Sequence, residues 1–269
     1  MSDQKTIDIR KLIASKNPKL LKWLPGFVVR YLERILHQDE INDFLNSIPD
    51  AKDEDFCDET MKFINFKVQV KGIENLPPTG KITIAMNHPL GGMDAIALVS
   101  ALREKRSDLK FIVNDLLLNL NKMNGLFLGI NKHGKKPQNK RAQINELFSS
   151  ENAVCIFPAG LVSRKIDGKV MDLEWKKTFV SQSVLYERTI VPIYLEGNLS
   201  NWFYRLSNFR KKLGIKANVE MLYLSDELFK LRGSKMTMHI GKPIHHTLFT
   251  KEKTDLEWAK WIKDKVYSM

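Results

Sequence analysis

The sequence predicts an α/β protein whose mixed, largely parallel sheet is flanked by helices and preceded by an N-terminal helical segment. From residue 82 onward, short apolar runs of strand length alternate with longer segments of helical pattern. Such alternation is typical of parallel sheets covered by helices. Residues 1–48 have a helical pattern and are rich in Leu, Ile, Lys and Arg, with breaks near Pro18 and Pro25.

We therefore expect two parts, a helical segment at residues 1–60 and an α/β domain at residues 61–269. Within residues 16–34, large apolar side chains such as Trp23 and Phe27 stand beside lysines and arginines. An interfacial helix has this composition, because its apolar groups enter the lipid headgroup boundary while its cations face acidic lipid. An amphipathic helix that packs on its own domain has it too, so both interpretations stay open.

The elements follow in order from local patterns. Residues 50–59 are acidic and predict a solvated linker or the start of a helix. The predicted strands are residues 63–70, 82–86, 111–113, 153–157, 190–195, 219–223 and 235–240. The predicted helices after residue 60 are residues 95–104, 142–149, 179–186 and 256–266.

Composition narrows the class of partner and the compartment. The formal net charge of +12 favours a polyanionic binding partner. This partner could be an anionic lipid, an acidic carrier protein or a nucleic acid. The two cysteines, Cys57 and Cys155, match no zinc spacing and no disulfide framework, which indicates buried thiols in a reducing compartment. No apolar stretch is long enough to span a bilayer, and the N-terminus has no signal-peptide pattern, so we expect a cytosolic protein.

The most informative segment is residues 84–98, where a strand ends at Asn87-His88 and a Pro-Leu-Gly-Gly turn leads to Asp94. The Gly91-Gly92 pair permits the positive φ angles that fold the chain back. Asp94 is then placed to accept a hydrogen bond from one imidazole nitrogen of His88, while the other nitrogen takes a proton. The alternative is that Asp94 only caps the following helix and His88 is a surface loop residue.

A second segment ends the predicted strand at 153–157. Phe157-Pro158 closes the strand, Gly160 allows close backbone approach, and Ser163-Arg164 follow in the loop. If the two strands are parallel, this segment lies at the same sheet edge as His88. The planar guanidinium of Arg164 suits a carboxylate or phosphate, unless the segment is an ordinary turn and Arg164 a surface charge.

Together and in this order, these segments resemble the glycerolipid acyltransferase superfamily, the bacterial lysophosphatidic acid acyltransferase-like proteins. The family element Asn-His-(x)4-Asp is similar to Asn87-His88…Asp94, its Phe-Pro-x-Gly-x-x-Ser-Arg element resembles residues 157–164, and its late Val-Pro resembles Val191-Pro192. The match spans about residues 82–244. A hemolysin-like subgroup, related to the O-acyltransferases that complete ornithine and glycine lipids, is more similar still.

Three departures from the family pattern matter. Five residues, not four, separate His88 from Asp94, and the glycine pair can absorb the extra one. The usual glutamate of Phe-Pro-Glu-Gly is Ala159, and the Gly-x-x-Phe-x-x-Arg element has only a loose counterpart at 125–131, with Asn131 in place of arginine. The last two departures remove groups tied to glycerol-phosphate acceptors and favour another head group.

The resemblance implies transfer of a fatty acyl chain from an acyl-carrier protein or CoA thioester to the hydroxyl of a lyso-lipid, which we expect to be a mono-acylated amino-acid lipid of the glycine or ornithine type. His88 would be the general base and Asp94 its orienting carboxylate. Arg164 would hold the anionic head group, helped by Lys132, Lys135 and Lys136. The expected substrate-binding residues are Asn87, Gly91, Gly92, Phe157, Pro158, Gly160, Ser163 and Arg164.

We expect no cofactor beyond the thioester co-substrate and no metal. An acyl-enzyme is not expected, because no serine or cysteine stands beside His88 in the sequence. The expected location is cytoplasmic, peripheral on the inner face of the plasma membrane. Two alternatives remain, a 1-acylglycerol-3-phosphate acyltransferase of phospholipid synthesis and a non-catalytic basic module that binds membrane or nucleic acid.

Overall fold

The computed structural model describes residues 6–112, 121–127 and 137–269. In this part of the chain the main sheet is formed by β1 (Lys67–Lys71), β2 (Ile82–Met86), β3 (Leu109–Phe111), β4 (Ala153–Ile156), β7 (Thr189–Leu195) and β8 (Lys235–Ile240). A separate two-stranded hairpin consists of β5 (Arg164–Ile166) and β6 (Lys169–Met171).

The helices of the described residues flank the sheet or form a unit of their own. They are α1 (Ile9–Lys16), α2 (Pro18–Trp23), α3 (Gly26–Ile35), α4 (Gln38–Ser47), α5 (Asp53–Ile64), α6 (Gly92–Leu102), α7 (Pro137–Ser149), α8 (Thr178–Leu185), α9 (Asn201–Lys212), α10 (Leu224–Lys230) and α11 (Asp255–Tyr267). None of them is long and apolar enough to cross a membrane.

The order of the main sheet is β1-β8-β7-β2-β4-β3, and every pair is parallel except β7 with β8. All five residues of β2 are buried, as expected for a central strand covered on both faces. Helices α8 and α11 pack together and against β2 and β7, around a core that includes Trp175 and Phe179. The predicted α/β fold with a mixed, largely parallel sheet is confirmed.

The chain divides into two compact units. The first combines Met1–Ala51 with Leu199–Arg232 and contains α1–α4, α9 and α10. The second combines Lys52–Asn198 with Gly233–Met269 and contains both sheets and the remaining helices. The predicted division into residues 1–60 and 61–269 stays a prediction.

Two predicted strands need correction. Residues 63 and 64 belong to α5, because Asn65 takes a left-handed conformation with φ of 50° and ends that helix before β1 begins at Lys67. The predicted strand at 219–223 is wrong, since Val219–Tyr223 is a 3-10 helix. Its buried Glu220 accepts a hydrogen bond of 3.0 Å from Arg210 of α9. The buried carboxylate in this apolar run is therefore paired with a charged side chain nearby in the sequence.

A third predicted strand is shifted. The strand predicted at 111–113 runs over Leu109–Phe111, and residue 113 lies outside the described residues. The strands at 82–86 and 235–240 have the predicted bounds. Since β2 and β4 are parallel, their carboxyl ends meet at one sheet edge, which brings the segments after Met86 and after Ile156 together as expected.

Candidate active site

The loop between β2 and α6 brings His88 and Asp94 into contact. Gly91 makes the reversal with φ of 71° and ψ of −136°, a conformation that only glycine adopts readily. Helix α6 begins at the next residue, which places Asp94 in its first turn. The Nδ1 atom of His88 lies 2.9 Å from the Oδ2 atom of Asp94.

Asp94 contacts His88 and accepts from a loop N–H rather than from an N–H of α6, so the alternative in which it only caps the helix is not what the structure shows. The same Oδ2 atom that faces His88 accepts the Leu90 N–H at 2.9 Å. The Oδ1 atom is buried and has no hydrogen-bond partner among the described residues. Burial raises the pKa of the Asp94 carboxyl, and the contacts with His88 and Leu90 oppose this shift.

The imidazole of His88 is held on one face as well as at one nitrogen. The ring of Phe157, which follows β4, stacks on it with 3.9 Å between centroids and 22° between planes. No hydrogen bond involves Nε2 within the described part of the chain, and 17% of the side chain is exposed. The arrangement therefore orients a histidine through Nδ1 and leaves Nε2 available to accept a proton.

Asn87 joins the ends of two neighbouring strands. Its Nδ2 donates to the Leu195 carbonyl at 2.9 Å, and the Leu195 N–H donates to its Oδ1 at 2.7 Å. The Asn87 side chain is buried. Both ends of the amide are thus occupied by the backbone at the end of β7, and His88 starts from an anchored position.

The segment after β4 supplies the other predicted site residues. Pro158 is buried, and Gly160 turns the chain with φ of 68° while its N–H donates to the Phe157 carbonyl. The Ser163 N–H donates to the His88 carbonyl at 2.8 Å, which ties this segment to the histidine loop. Arg164 is fully buried, and its Nη1 donates to the Val162 carbonyl at 2.7 Å.

Sequence reasoning missed Asp172, which contacts both loops. The Asp167-Gly168 pair was an available signal, because Asp-Gly flanked by strand residues is typical of a tight hairpin. Both residues have positive φ, and the hairpin pairs Arg164 with Met171. Extending that register by one residue places Ser163 opposite Asp172, and the Ser163 hydroxyl indeed donates to Asp172 Oδ1 at 2.6 Å.

The hydroxyl of Ser163 is engaged in a hydrogen bond, and the two cysteine thiols are buried. Ser163 lies beside the His88 backbone, which its sequence position did not predict, but its hydroxyl proton is directed to Asp172. Cys57 and Cys155 are both fully buried, and burial raises the pKa of each thiol. The described residues contain no cluster of three His, Cys, Asp or Glu side chains that could hold a metal ion.

Four residues singled out from the sequence lie outside the described residues. They are Asn131, Lys132, Lys135 and Lys136. All eight expected substrate-binding residues lie in the two segments that follow β2 and β4, where Gly92 is the first residue of α6 and Arg164 the first residue of β5.

Comparisons with known proteins find relatives along nearly the whole chain. A sequence model described as Acyltransferase matches residues 11–269. Proteins named lyso-glycine lipid O-acyltransferase from Bacteroides thetaiotaomicron and Phocaeicola vulgatus are 47% and 45% identical over 264 residues, covering 98% of this chain and 97% and 95% of the relatives. The crystal structure of the 1-acyl-sn-glycerophosphate (LPA) acyltransferase PlsC from Thermotoga maritima shares the fold, with a TM-score of 0.50, 18% identity and coverage of 97% and 92%.

Proposed function

The chain belongs to the acyltransferase family, and on that premise we propose that it moves a fatty acyl chain from a thioester to the free hydroxyl of a mono-acylated glycine lipid. The observation that carries the chemistry is the contact between His88 Nδ1 and Asp94 Oδ2, with Nε2 left open. The acceptor is supported by two relatives named for lyso-glycine lipid at 47% and 45% identity. Replacement of the family glutamate by Ala159 also favours an acceptor other than a glycerol phosphate.

His88 is the general base in this proposal. Its Nε2 accepts the proton of the acceptor hydroxyl as that oxygen attacks the carbonyl carbon of the thioester. A C–O ester bond forms, the C–S bond breaks, and His88 returns the proton to the departing thiolate, which leaves as the carrier thiol. Asp94 holds the imidazole in the required tautomer and stabilises the imidazolium as it forms.

The N-terminus of α6 is suited to the oxyanion that develops during attack. The backbone N–H groups of Gly91 and Gly92 have no backbone acceptor among the described residues, and the helix dipole favours negative charge at this end. Gly160 is the weaker choice, because its N–H already donates to the Phe157 carbonyl. We therefore place the thioester carbonyl oxygen at the start of α6.

Recognition of the acceptor is assigned to the loop that follows β4. A glycine lipid carries a carboxylate, for which a guanidinium is the preferred partner. Arg164, the first residue of β5, provides a buried positive charge beside this loop, and its Nη1 donates to the Val162 carbonyl. Phe157 and Pro158 supply apolar surface for the acyl chain, while Asn87 and Ser163 position the two loops.

In this proposal the net positive charge of the protein serves to bind the anionic acyl donor and the anionic membrane surface. Acyl-carrier protein and CoA are both polyanions, so the net charge of +12 supports either as the thioester carrier. In the first unit, Trp23 is 86% exposed and Phe27 is 67% exposed, and Arg30 and Arg34 line a surface depression beside Phe27. We place the protein peripherally on the inner face of the plasma membrane, with this surface against anionic lipid.

Acyl transfer is tested with purified protein, a mono-acylated glycine lipid and a fatty acyl thioester of either carrier. His88→Ala is expected to lower turnover by about 10²- to 10⁴-fold, as is usual for loss of a general base. The matched control is His245→Ala, because His245 is exposed and follows Ile244, which pairs with Ile190 at the other end of β7. A folded His88→Ala protein with near-wild-type turnover would contradict the mechanism.

The acceptor is tested in the same assay by offering 1-acylglycerol-3-phosphate at equal concentration. Faster transfer to that lipid than to the glycine lipid would overturn the acceptor assignment while leaving the role of His88 as base in place.

Membrane contact is tested by sedimentation with vesicles of increasing phosphatidylglycerol content. The Trp23→Ala, Phe27→Ala double variant is expected to bind less, and Leu256→Ala, an exposed apolar residue of the second unit, is the control.

A further inference from the structure

Asp172 is a buried carboxylate that the mechanism above does not use. It lies directly after the hairpin strand β6 and is 1% exposed. Its Oδ1 atom accepts the His88 N–H at 3.2 Å and the Ser163 hydroxyl at 2.6 Å. Its Oδ2 atom accepts the indole N–H of Trp175 at 2.8 Å. Both oxygens are therefore occupied by three donors from three separate points of the second unit.

The backbone of Asp172 is held as firmly as its side chain. Its N–H donates to the Tyr267 hydroxyl at 2.7 Å, and its carbonyl accepts from the Lys263 ammonium at 2.7 Å. Tyr267 and Lys263 both belong to α11. The C-terminal helix thus holds the residue that contacts the histidine loop.

The contacts close a triangle around the peptide groups of His88. Asp172 takes the His88 N–H, and Ser163 donates its own N–H to the His88 carbonyl at 2.8 Å. Because the Ser163 hydroxyl is bonded to Asp172, the two restraints are linked through one carboxylate. The direction in which the His88 side chain leaves the backbone is therefore set on both sides of its Cα.

We propose that Asp172 is a positioning residue for His88, which couples α11 and the β5–β6 hairpin to the geometry of the base. This inference rests on the proposed role of His88 in acyl transfer. Asp172 does not touch the substrate; it keeps Nε2 in line with the acceptor hydroxyl by holding the peptide from which the imidazole extends. A displacement of about 1 Å in such a group can cost about 100-fold in rate.

The alternative is that Asp172 only stabilises the loop, in which case kcat would follow stability across a set of variants. Two changes separate these cases. Asp172→Ala removes the acceptor for all three donors. Asp172→Asn keeps one oxygen, which can occupy the Oδ1 place and accept from His88 and Ser163, while its NH2 group then faces the Trp175 N–H and lowers stability.

Each variant is measured for kcat, for KM of both substrates and for the thermal unfolding midpoint. Asp172→Ala is expected to lose about 10- to 100-fold in kcat with KM nearly unchanged, because the base is misplaced and the binding surfaces remain. Asp172→Asn is expected to keep most of its kcat despite a lower unfolding midpoint. Trp175→Phe, which removes only the donor to Oδ2, is expected to behave in the same way.

A control variant for stability is Asp108→Asn. Asp108 accepts from Arg106 and from the Ala153 N–H, so this carboxylate also joins separate segments, but it lies at the amino ends of β3 and β4. Its loss is expected to lower the unfolding midpoint without lowering kcat. Should Asp172→Ala not fold, Tyr267→Phe releases the Asp172 N–H from α11 and is expected to lower kcat several-fold with KM unchanged.

The inference is overturned if Asp172→Ala, or Tyr267→Phe in its place, has wild-type kcat, or if Asp172→Asn loses as much kcat as Asp172→Ala. His88→Ala is assayed in parallel. If His88→Ala is inactive while these variants retain full kcat, only the positioning role fails. If His88→Ala is active, the proposed function fails.

Discussion

Asn87 and Leu195 exchange two hydrogen bonds, of 2.9 Å from the amide to the carbonyl and 2.7 Å from the backbone N–H to the amide. The Asn87 side chain thereby extends the hydrogen bonding between β2 and β7 by one residue beyond the end of β2, just before His88. We expect Asn87→Ala to lower the free energy of unfolding by about 1–3 kcal/mol, because the buried Leu195 N–H and carbonyl are left unpaired. Urea denaturation measures this change.

Asn75→Ala is the control for that variant. The Asn75 amide donates one bond of 2.8 Å to the Ile240 carbonyl and is only partly buried, so its loss is expected to cost less. Equal stability losses in the two variants would contradict the special place of Asn87. Asn87→Ala should also lower kcat, since His88 is the next residue.

The pH dependence of stability tests the environment of Asp94. Burial raises the pKa of this carboxyl above its usual value of 3.8, so the folded protein holds the proton more tightly than the unfolded chain. The stabilising contribution is full below the unfolded pKa and is lost as pH rises through the folded pKa. The unfolding free energy of the wild type minus that of Asp94→Asn is therefore expected to fall as pH rises above the unfolded pKa of about 4.

The pKa of Asp108 is shifted in the opposite direction from that of Asp94, so Asp108 serves as the comparison. Burial alone would raise its pKa, but hydrogen bonds and charge from Arg106 outweigh burial and lower it. Its contribution is present above the unfolded pKa and is lost as pH falls. The difference between the wild type and Asp108→Asn is therefore expected to rise with pH. The two differences are measured by urea denaturation at a series of pH values. If both differences changed with pH in the same direction, the opposite pKa shifts of Asp94 and Asp108 would be refuted.

Neighbouring glycines in the reversal are expected to respond differently to alanine. Gly91 has φ of 71° and ψ of −136°, so Gly91→Ala is expected to cost about 1–3 kcal/mol of stability and to displace the loop that carries His88. Gly92 opens α6, and an added Cβ there would meet nothing within 4 Å. Gly92→Ala is expected to keep or slightly raise stability. Equal urea midpoints for the two variants would show that the reversal is not strained by a side chain.

Thiol reactivity tests the absence of a covalent acyl-enzyme on cysteine. Cys57 and Cys155 are fully buried and burial raises the pKa of each thiol, so N-ethylmaleimide is expected to label neither in the native protein. Mass spectrometry after labelling in urea, where both should react, is the control. Rapid native labelling of Cys155 together with loss of acyl transfer would argue for a thiol intermediate.

The predictions that succeeded concern local patterns. The runs at 82–86 and 235–240 have the predicted bounds, because short β-type runs bounded by turn residues specify a strand without help from distant parts of the chain. The His88–Asp94 contact was predictable for the same reason, since a glycine reversal of a few residues closes it. Family membership favours the enzyme over the alternative of a non-catalytic basic module.

Failures arose where a specific side-chain partner, rather than the local apolar pattern, decides the outcome. The 219–223 run carries an apolar pattern that fits a strand, but the pairing of Glu220 with Arg210 holds it as a 3-10 helix. One alternative from the sequence made Arg164 a surface charge, whereas the structure buries its side chain and directs Nη1 to the Val162 carbonyl. Whether it also meets the head group stays a prediction.

By itself, the amino-acid sequence determined the α/β fold, most strands of its central sheet and the joining of His88 to Asp94, because these depend on apolar periodicity and on turns of a few residues. Only the tertiary structure decided that Asn87 spans β2 and β7 and that Asp172, 84 residues after His88, holds the His88 peptide. The Asn87 contact depends on strand order, which is settled by packing over the whole unit. The Asp172 contact depends on how the β5–β6 hairpin lies against the loop of His88, which the hairpin sequence alone does not specify.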